Sequence, residues 1–366
     1  MKRMLVYGNY NSESKDLEKD SLIEVLRHTL PYLYKHYKIQ FTILLPMEVQ
    51  SLKKPYIEQK IYHLTNNMNY MRLEFDTNQF MNVVDPENVK YDYIYTHQPE
   101  HTLQISNLFK KHTNQNPKII GYAHWVEVKE NTSYRKEDNA RAMYEWLMGI
   151  LQMEECGVNS EWFKQKVLSQ AKEICNNRVM KQLDKKLQVH YLGIDRVKKR
   201  DESKVVNKTI MFNHRDEDFT GSKWFIKSMN ELWKERQDFK VYTTLNWKRD
   251  YGDWHHRLDI SDKDEYMEKL STMKFGVGCF RNYSAWSIST TDGLSVGVPY
   301  LLPKRLCYPE MVGEYYPHYY NGKKDFRNQF IKMLDEPIEI DTTKLVKNYR
   351  WKDRIPKWFD GWKVIS

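Results

Sequence analysis

The chain has 366 residues, 40% apolar and 14% aromatic, with a formal charge of +9. That composition excludes a disordered chain and suits two domains with cores of their own. The basic balance fits nucleic acid, an anionic membrane face or phosphorylated substrates, and does not choose among them.

The four cysteines, Cys156, Cys175, Cys279 and Cys307, show no zinc-type spacing and no disulfide framework, which fits a reducing, cytoplasmic setting. No apolar run is long enough to span a bilayer. The short apolar start before Gly8 reads as a first strand and not a signal peptide.

Residues 4–7 predict a strand and 8–11 a loop, after which Leu22, Leu26, Leu30 and Leu33 recur at helical spacing within 17–37. Residues 41–45 predict a second strand. Residues 91–96 predict another, leading into His97-Gln98-Pro99-Glu100 and a helix over 103–111. Residues 118–123 predict a strand ending at His124. A short element around Gly157-Val158 ends at Asn159-Ser160, where a helix begins at Glu161. Strands separated by helices predict parallel βαβ units, whose ligand sites lie at the strands' carboxyl ends. His97, Glu100, His124 and Asn159 fall at such ends.

The charge run over 195–202 predicts a solvated linker. A second series follows, with a strand over 209–212, the turn Asn213-His214-Arg215 and a helix over 223–236. A strand over 240–244, a helix ending near Met273 and a strand over 275–280 complete it. Arg215 and Lys223, near a helix start, suit a diphosphate clamp; a capped surface turn explains them equally well. Residues 289–300 then read as a polar loop, a helix start, Gly297-Val298-Pro299 and a strand. Asp292 at that helix start can accept hydrogen bonds from a ribose diol, while free N–H groups around Ser289, Thr290 and Gly293 receive phosphate. Asp is also a good N-cap, and one residue can do both.

Asp216-Glu217-Asp218 and Asp262-Lys263-Asp264 read as solvated turns and not as metal sites. Two basic-aromatic segments, 246–257 with Trp254 and Arg257 and 349–358, can hold phosphates and stack an extruded base. For the second, a helix anchored on the first domain by Trp351 is the alternative. The expected division is 1–195, 205–345 and a helical tail over 346–366.

Ile210-Met211-Phe212-Asn213-His214-Arg215, Lys223, Asp292 before Gly297-Val298-Pro299, and Leu302-Pro303-Lys304-Arg305-Leu306-Cys307-Tyr308-Pro309-Glu310 carry a family resemblance. They resemble the GT-B glycosyltransferases, in particular the retaining family-four class and its tRNA-queuosine mannosyltransferase-like branch. Phage DNA glucosyltransferases are more distantly similar. Val158-Asn159-Ser160 resembles the strand-end Asn-Ser of such enzymes. The resemblance implies an α/β fold of two Rossmann-like doubly wound domains facing across a cleft, with a C-terminal helix crossing back. It implies a nucleotide-sugar co-substrate of UDP-glucose or GDP-mannose type, with no bound cofactor and no metal. Arg215 and Lys223 would hold the diphosphate beside Asn213, and Asp292 the ribose.

On the acceptor side the resemblance places His124 against the transferred sugar, a satisfied core histidine explaining it equally well, with Glu127 as general base if the reaction inverts. Two departures stand out: Ser284 occupies the place of the family's first glutamate, and Asp292 that of its second. The acceptor expected from charge and likeness is nucleic acid, either a hydroxylated base in DNA or a tRNA base. A glycolipid or envelope polysaccharide is the alternative, and a non-catalytic nucleic-acid-binding protein on the same frame is a third reading.

Overall fold

The chain's short runs of Val, Ile, Leu and Tyr become strands buried on both faces, as strands flanked by helices must be. The computed structural model describes residues 1–8, 10, 17–62, 74–124, 136–245, 247, 249–280 and 283–360. It divides into one unit of Met1–Tyr191 with Arg354–Ser366, and a second of Leu192–Asp353.

In the first unit the strands are β1 (Arg3–Tyr7), β2 (Gln40–Leu45), β3 (Ile57–Ile61), β4 (Tyr93–Thr96), β5 (Lys118–Ala123), β6 (Glu155–Val158) and β7 (Leu187–Val189). Among the described residues they pair in parallel in the order β3-β2-β1-β4-β5-β6-β7. The second unit has β8 (Val206–Phe212), β9 (Lys240–Thr243), β10 (His255–Arg257), β11 (Met273–Val277), β12 (Tyr300–Pro303) and β13 (Tyr319–Tyr320). They too are parallel, in the order β10-β9-β8-β11-β12-β13. Strand order reverses between β1 and β4 in one sheet and between β8 and β11 in the other. Open α/β sheets bind ligands outside the carboxyl ends of strands at such reversals.

The strands that sequence patterning does not pick out are β3, β7, β10 and β13. They are short or polar, with sequences IEQKI, LQV, HHR and YY. Among the described residues all four end a sheet, where one side needs no strand partner and little apolar surface is required. The first helix, Ser21–Tyr37, starts later than its leucine spacing suggests. Asp20 caps it by accepting from the Leu22 N–H at 2.7 Å, and Leu17–Lys19 forms a separate 3₁₀ turn.

The charge run over 195–202 is not a solvated linker. It belongs to the second unit and is tied down along its length. Lys263 reaches Asp195 at 2.6 Å, Arg196 pairs with Asp264, and the Lys198 N–H donates to the Ser295 carbonyl at 2.7 Å. The Arg200 guanidinium is buried. It donates to the Met273 and Lys274 carbonyls and pairs with Glu202 at 2.9 Å. Charged side chains with fixed partners on a folded surface leave the same sequence signature as a free linker.

The anchor expected of Trp351 belongs to another residue. Trp351 lies in the second unit, over Gly193. Trp358, further along the helix Trp351–Asp360, stacks in the first unit on Tyr122 at 4.8 Å and on His190 at 5.3 Å between ring centroids. Among the described residues no helix is long and apolar enough to cross a membrane.

Candidate functional site

At the carboxyl end of β8, Asn213 is only 5% exposed, and its amide is already committed. Its Nδ2 donates to the Tyr266 hydroxyl at 3.1 Å and to the Ser289 carbonyl at 2.8 Å. Its Oδ1 accepts from the Tyr300 hydroxyl at 3.0 Å. Asn213 is therefore not a free ligand-binding side chain; it ties β8 to β12 and to the start of the helix Ile288–Ser295. Sequence reading passes over Tyr266 and Tyr300, whose hydroxyls complete this tie. The signal for Tyr300 was the buried-strand position directly after Gly297-Val298-Pro299. Burial raises both tyrosine pKa values, and the Asp292 carboxylate nearby adds to the shift.

Two residues on, Arg215 is exposed, and among the described residues no ion pair holds it. Lys223, on the helix Ser222–Trp233, instead pairs with Asp218 at 2.7 Å, both side chains being exposed. The turn between them is fixed from below. Gly221 caps that helix at φ +81°, and a Cβ there would lie 2.1 Å from the Cys279 carbonyl oxygen beyond β11. This close approach locks the Arg215 loop against the strand across the reversal. Gly221→Ala meets both a left-handed backbone and a backbone clash. It is expected to destabilise the second unit by about 2–3 kcal/mol, read as a lowered urea midpoint.

Ser287, and not Asp292, caps the helix Ile288–Ser295. Its hydroxyl accepts from the Thr290 N–H at 3.3 Å and bonds the Thr290 hydroxyl at 2.8 Å. The pure capping explanation for Asp292 therefore falls: it is the helix's fifth residue, half-buried near Tyr266 and Tyr300. The open N–H groups of this helix belong to its first turn, around Ser289. Gly293 lies too far along to offer one. A Cβ there would lie 2.3 Å from the Tyr300 ring, so Gly293 serves packing and not phosphate. Ser284, where the family's first glutamate would fall, is buried with its hydroxyl 3.5 Å from the Cys307 thiol.

Trp254 is not a surface stacking platform. It is 1% exposed within the core of the second unit, and its indole N–H donates to Asn230 at 2.8 Å. Arg257 is exposed at the carboxyl end of the edge strand β10 and reaches the Trp247 carbonyl at 3.3 Å. The paired acids have partners of their own. Asp216 accepts from the Tyr251 hydroxyl at 2.6 Å, and Asp262 caps the helix Lys263–Ser271. A groove of about 590 Å³ lined by Arg200, Asn207, Lys274 and Asp341 lies at the amino ends of β8 and β11, the opposite edge from Arg215.

In the first unit the predicted residues gather at the carboxyl ends of β4, β5 and β6. His97 and His124 face each other with ring centroids 5.7 Å apart, and Tyr122 packs edge-on to His124 at 4.8 Å. Asn159 donates to the His124 carbonyl at 3.2 Å. Glu100 is buried in the first turn of the helix Pro99–His112. Burial holds His124 down at about 3, and it lowers His97 well below the usual histidine range, with His124 adding to the shift. Both imidazoles are therefore neutral at neutral pH. They offer hydrogen bonds but no positive charge. Glu127 lies outside the described residues.

Burial of His214 also makes stability depend on pH. Burial depresses His214 from 6.5 to about 4, while the Val277 carbonyl pulls the other way. The unfolded chain thus binds its proton first, and stability present above about pH 6.5 is lost as pH falls toward 4. The thermal midpoint is expected to drop across that window, and less steeply in His214→Gln.

No protein-family model matches the chain, and no curated protein matches it in sequence. Solved structures do share its fold. Sucrose-phosphate synthase from Thermosynechococcus elongatus superposes with a TM-score of 0.70 at 9% identity, over 99% of this chain and 98% of that one. A glycosyltransferase from Rickettsia africae gives 0.68 at 12% identity, over 100% and 98%. Anabaena HepE in complex with UDP-glucose gives 0.61 at 11% identity, over 97% and 94%.

Proposed function

We propose that this chain, which has the two-unit α/β fold of GT-B glycosyltransferases, transfers a sugar from a nucleotide-sugar donor held by its second unit. One observation carries the reading. The exposed Arg215 and the open first turn of the helix Ile288–Ser295 flank the sheet reversal between β8 and β11, with Asp292 on that helix. A cation and free N–H groups there suit a diphosphate, and a carboxylate suits a ribose diol. Lys223 joins the clamp by leaving Asp218, since an exposed ion pair is worth only about 0–1 kcal/mol. Negative charge grows on the diphosphate as the sugar departs, so these groups stabilise the transition state more than the ground state. The donor is of UDP-glucose or GDP-mannose type, the former being the ligand of the HepE complex. Transfer is retaining and needs no metal, as in the family-four class, and the protein works in the cytoplasm.

The acceptor is a nucleic-acid base bearing a hydroxyl, in DNA or tRNA, in keeping with the net charge of +9. A carbohydrate acceptor is the second reading, favoured by the sugar-named synthases that share the fold. The deciding experiment offers UDP- and GDP-sugars with hydroxymethylated DNA, tRNA, oligosaccharides and lipid extract, and follows transfer of radiolabelled sugar. Transfer to one acceptor class selects the reading. Neither hydrolysis nor transfer of any donor, with nucleic acid still bound, would leave only the non-catalytic binding protein.

A further inference from the structure

The pinned charge run of the second unit borders the groove at the amino ends of β8 and β11, which takes no part in the proposed donor site. Arg200 lines that groove with only 6% of its side chain exposed. Its Nε is spent on Glu202 and its Nη1 on the Met273 and Lys274 carbonyls. Among the described residues its Nη2 donates to nothing. Lys274 Nζ gives one N–H to the Leu334 carbonyl at 2.7 Å and keeps two. Lys199, exposed on the same lining, makes no hydrogen bond among the described residues. The acceptors, by contrast, are largely taken. Glu202 accepts from Arg200, Asn207 Oδ1 from the Lys208 N–H, and Asp341 from the Thr343 hydroxyl and N–H. We propose that this groove is a second ligand site, for a small organic anion, whose occupancy is felt at the donor helix Ile288–Ser295.

The unspent groups select the ligand. A guanidinium nitrogen with free N–H groups, beside two ammonium groups, suits the oxygens of a phosphate or a carboxylate. Val205, Ile338 and Ile340 offer its body an apolar wall, and about 590 Å³ is room for a molecule of metabolite size. Three cations and three acids leave the lining neutral overall, which disfavours a nucleic-acid backbone or other polyanion. The segments beside the groove also grip the far end of the donor helix. The Lys198 N–H donates to the Ser295 carbonyl at 2.7 Å, and the Thr342 hydroxyl to the Leu294 carbonyl at 2.8 Å. Gly297 follows so closely that a Cβ there would lie 2.8 Å from the Arg200 backbone nitrogen. That helix is only about 12 Å long, so a ligand that orders residues 198–200 and 341–342 also biases its first turn. Coupling between two bound ligands is reciprocal. The coupling rests on the donor reading of the second unit; the binding itself does not.

The test is calorimetric titration of the full chain with UDP saturating, so that a probe cannot report the donor site. The probes are phenyl phosphate, phenylacetate and the neutral benzyl alcohol. One of the two anions is expected to bind, which identifies phosphate or carboxylate as the group recognised, and benzyl alcohol is expected to bind at least about tenfold more weakly. Arg200→Gln is expected to weaken the bound anion about tenfold. Arg200 also ties itself to β11, so Lys199→Glu is the second variant. It is expected to cost about fivefold in anion affinity with the thermal midpoint unchanged. The dissociation constant of UDP is expected to change about fivefold when the anion saturates the chain. Binding of neither anion, or equal anion binding in the parent and both variants, would overturn the site. An unchanged UDP affinity beside a bound anion would overturn the link to the helix. Failure of UDP to bind, with an anion still bound and weakened in Lys199→Glu, would remove the donor reading and leave the groove standing as a binding site.

Discussion

Arg215→Ala is expected to raise the dissociation constant for UDP by about 10- to 100-fold, the effect of removing a charge-assisted hydrogen bond to phosphate. The fold should not notice. Arg215 is exposed, and only its backbone carbonyl takes part in the turn, accepting from Thr220 Oγ1 at 2.8 Å. Its thermal midpoint should therefore stay close to that of the parent. Arg215→Lys keeps the charge but loses the two-pronged guanidinium, and an intermediate affinity is expected. Calorimetric titration of UDP into the three proteins is the check. Equal UDP affinity in Arg215→Ala would remove the diphosphate clamp, and with it the main support for a donor site in this unit.

Trp358→Ala is expected to destabilise the first unit by about 3–5 kcal/mol, the usual cost of deleting a large buried aromatic ring. Trp358 is 1% exposed and lies nearly parallel to both Tyr122 and His190. Along the same helix, Ile355 and Phe359 are buried, with Phe359 stacked on Tyr32 at 5.7 Å. Losing the central ring leaves a cavity that two stacked partners cannot close. A urea titration reads the loss, and Trp358→Phe should recover part of it. A midpoint for Trp358→Ala equal to that of the parent would mean that this helix contributes nothing to the unit. Tyr122 also packs against His97 and His124, so a displaced Tyr122 should disturb those two rings as well.

The alternation of apolar runs with leucine-spaced helices was enough to read two parallel α/β units. Strand-end logic was enough to place His97, His124, Asn159 and Arg215. Each of these placements depends on a local period or on position after a buried strand. Trp254 shows where that logic stops. Its neighbours Lys248, Arg249, His255 and Arg257 gave it the look of a nucleic-acid surface, yet Asn230 satisfies its indole inside a core. Burial depends on residues distant in sequence, and no local pattern encodes it. Asn213 failed for a related reason: its amide was spent on Tyr266, Ser289 and Tyr300, which lie 53 to 87 positions away.

By itself the sequence determined the class of fold, the strand ends at which His97, His124 and Asn159 fall, and the position of Arg215 just after β8. These follow from side-chain periodicity and from where buried strands must end. Tertiary structure alone decided that the charge run near 200 is pinned to the second unit and that Ser287 takes the cap from Asp292. It also decided that Trp358 carries the anchoring stack and that burial holds His97 and His124 neutral. Each of those outcomes turns on which groups meet once the chain is closed, because a hydrogen bond, a stacked ring or a desolvated imidazole is a property of neighbours and not of spacing.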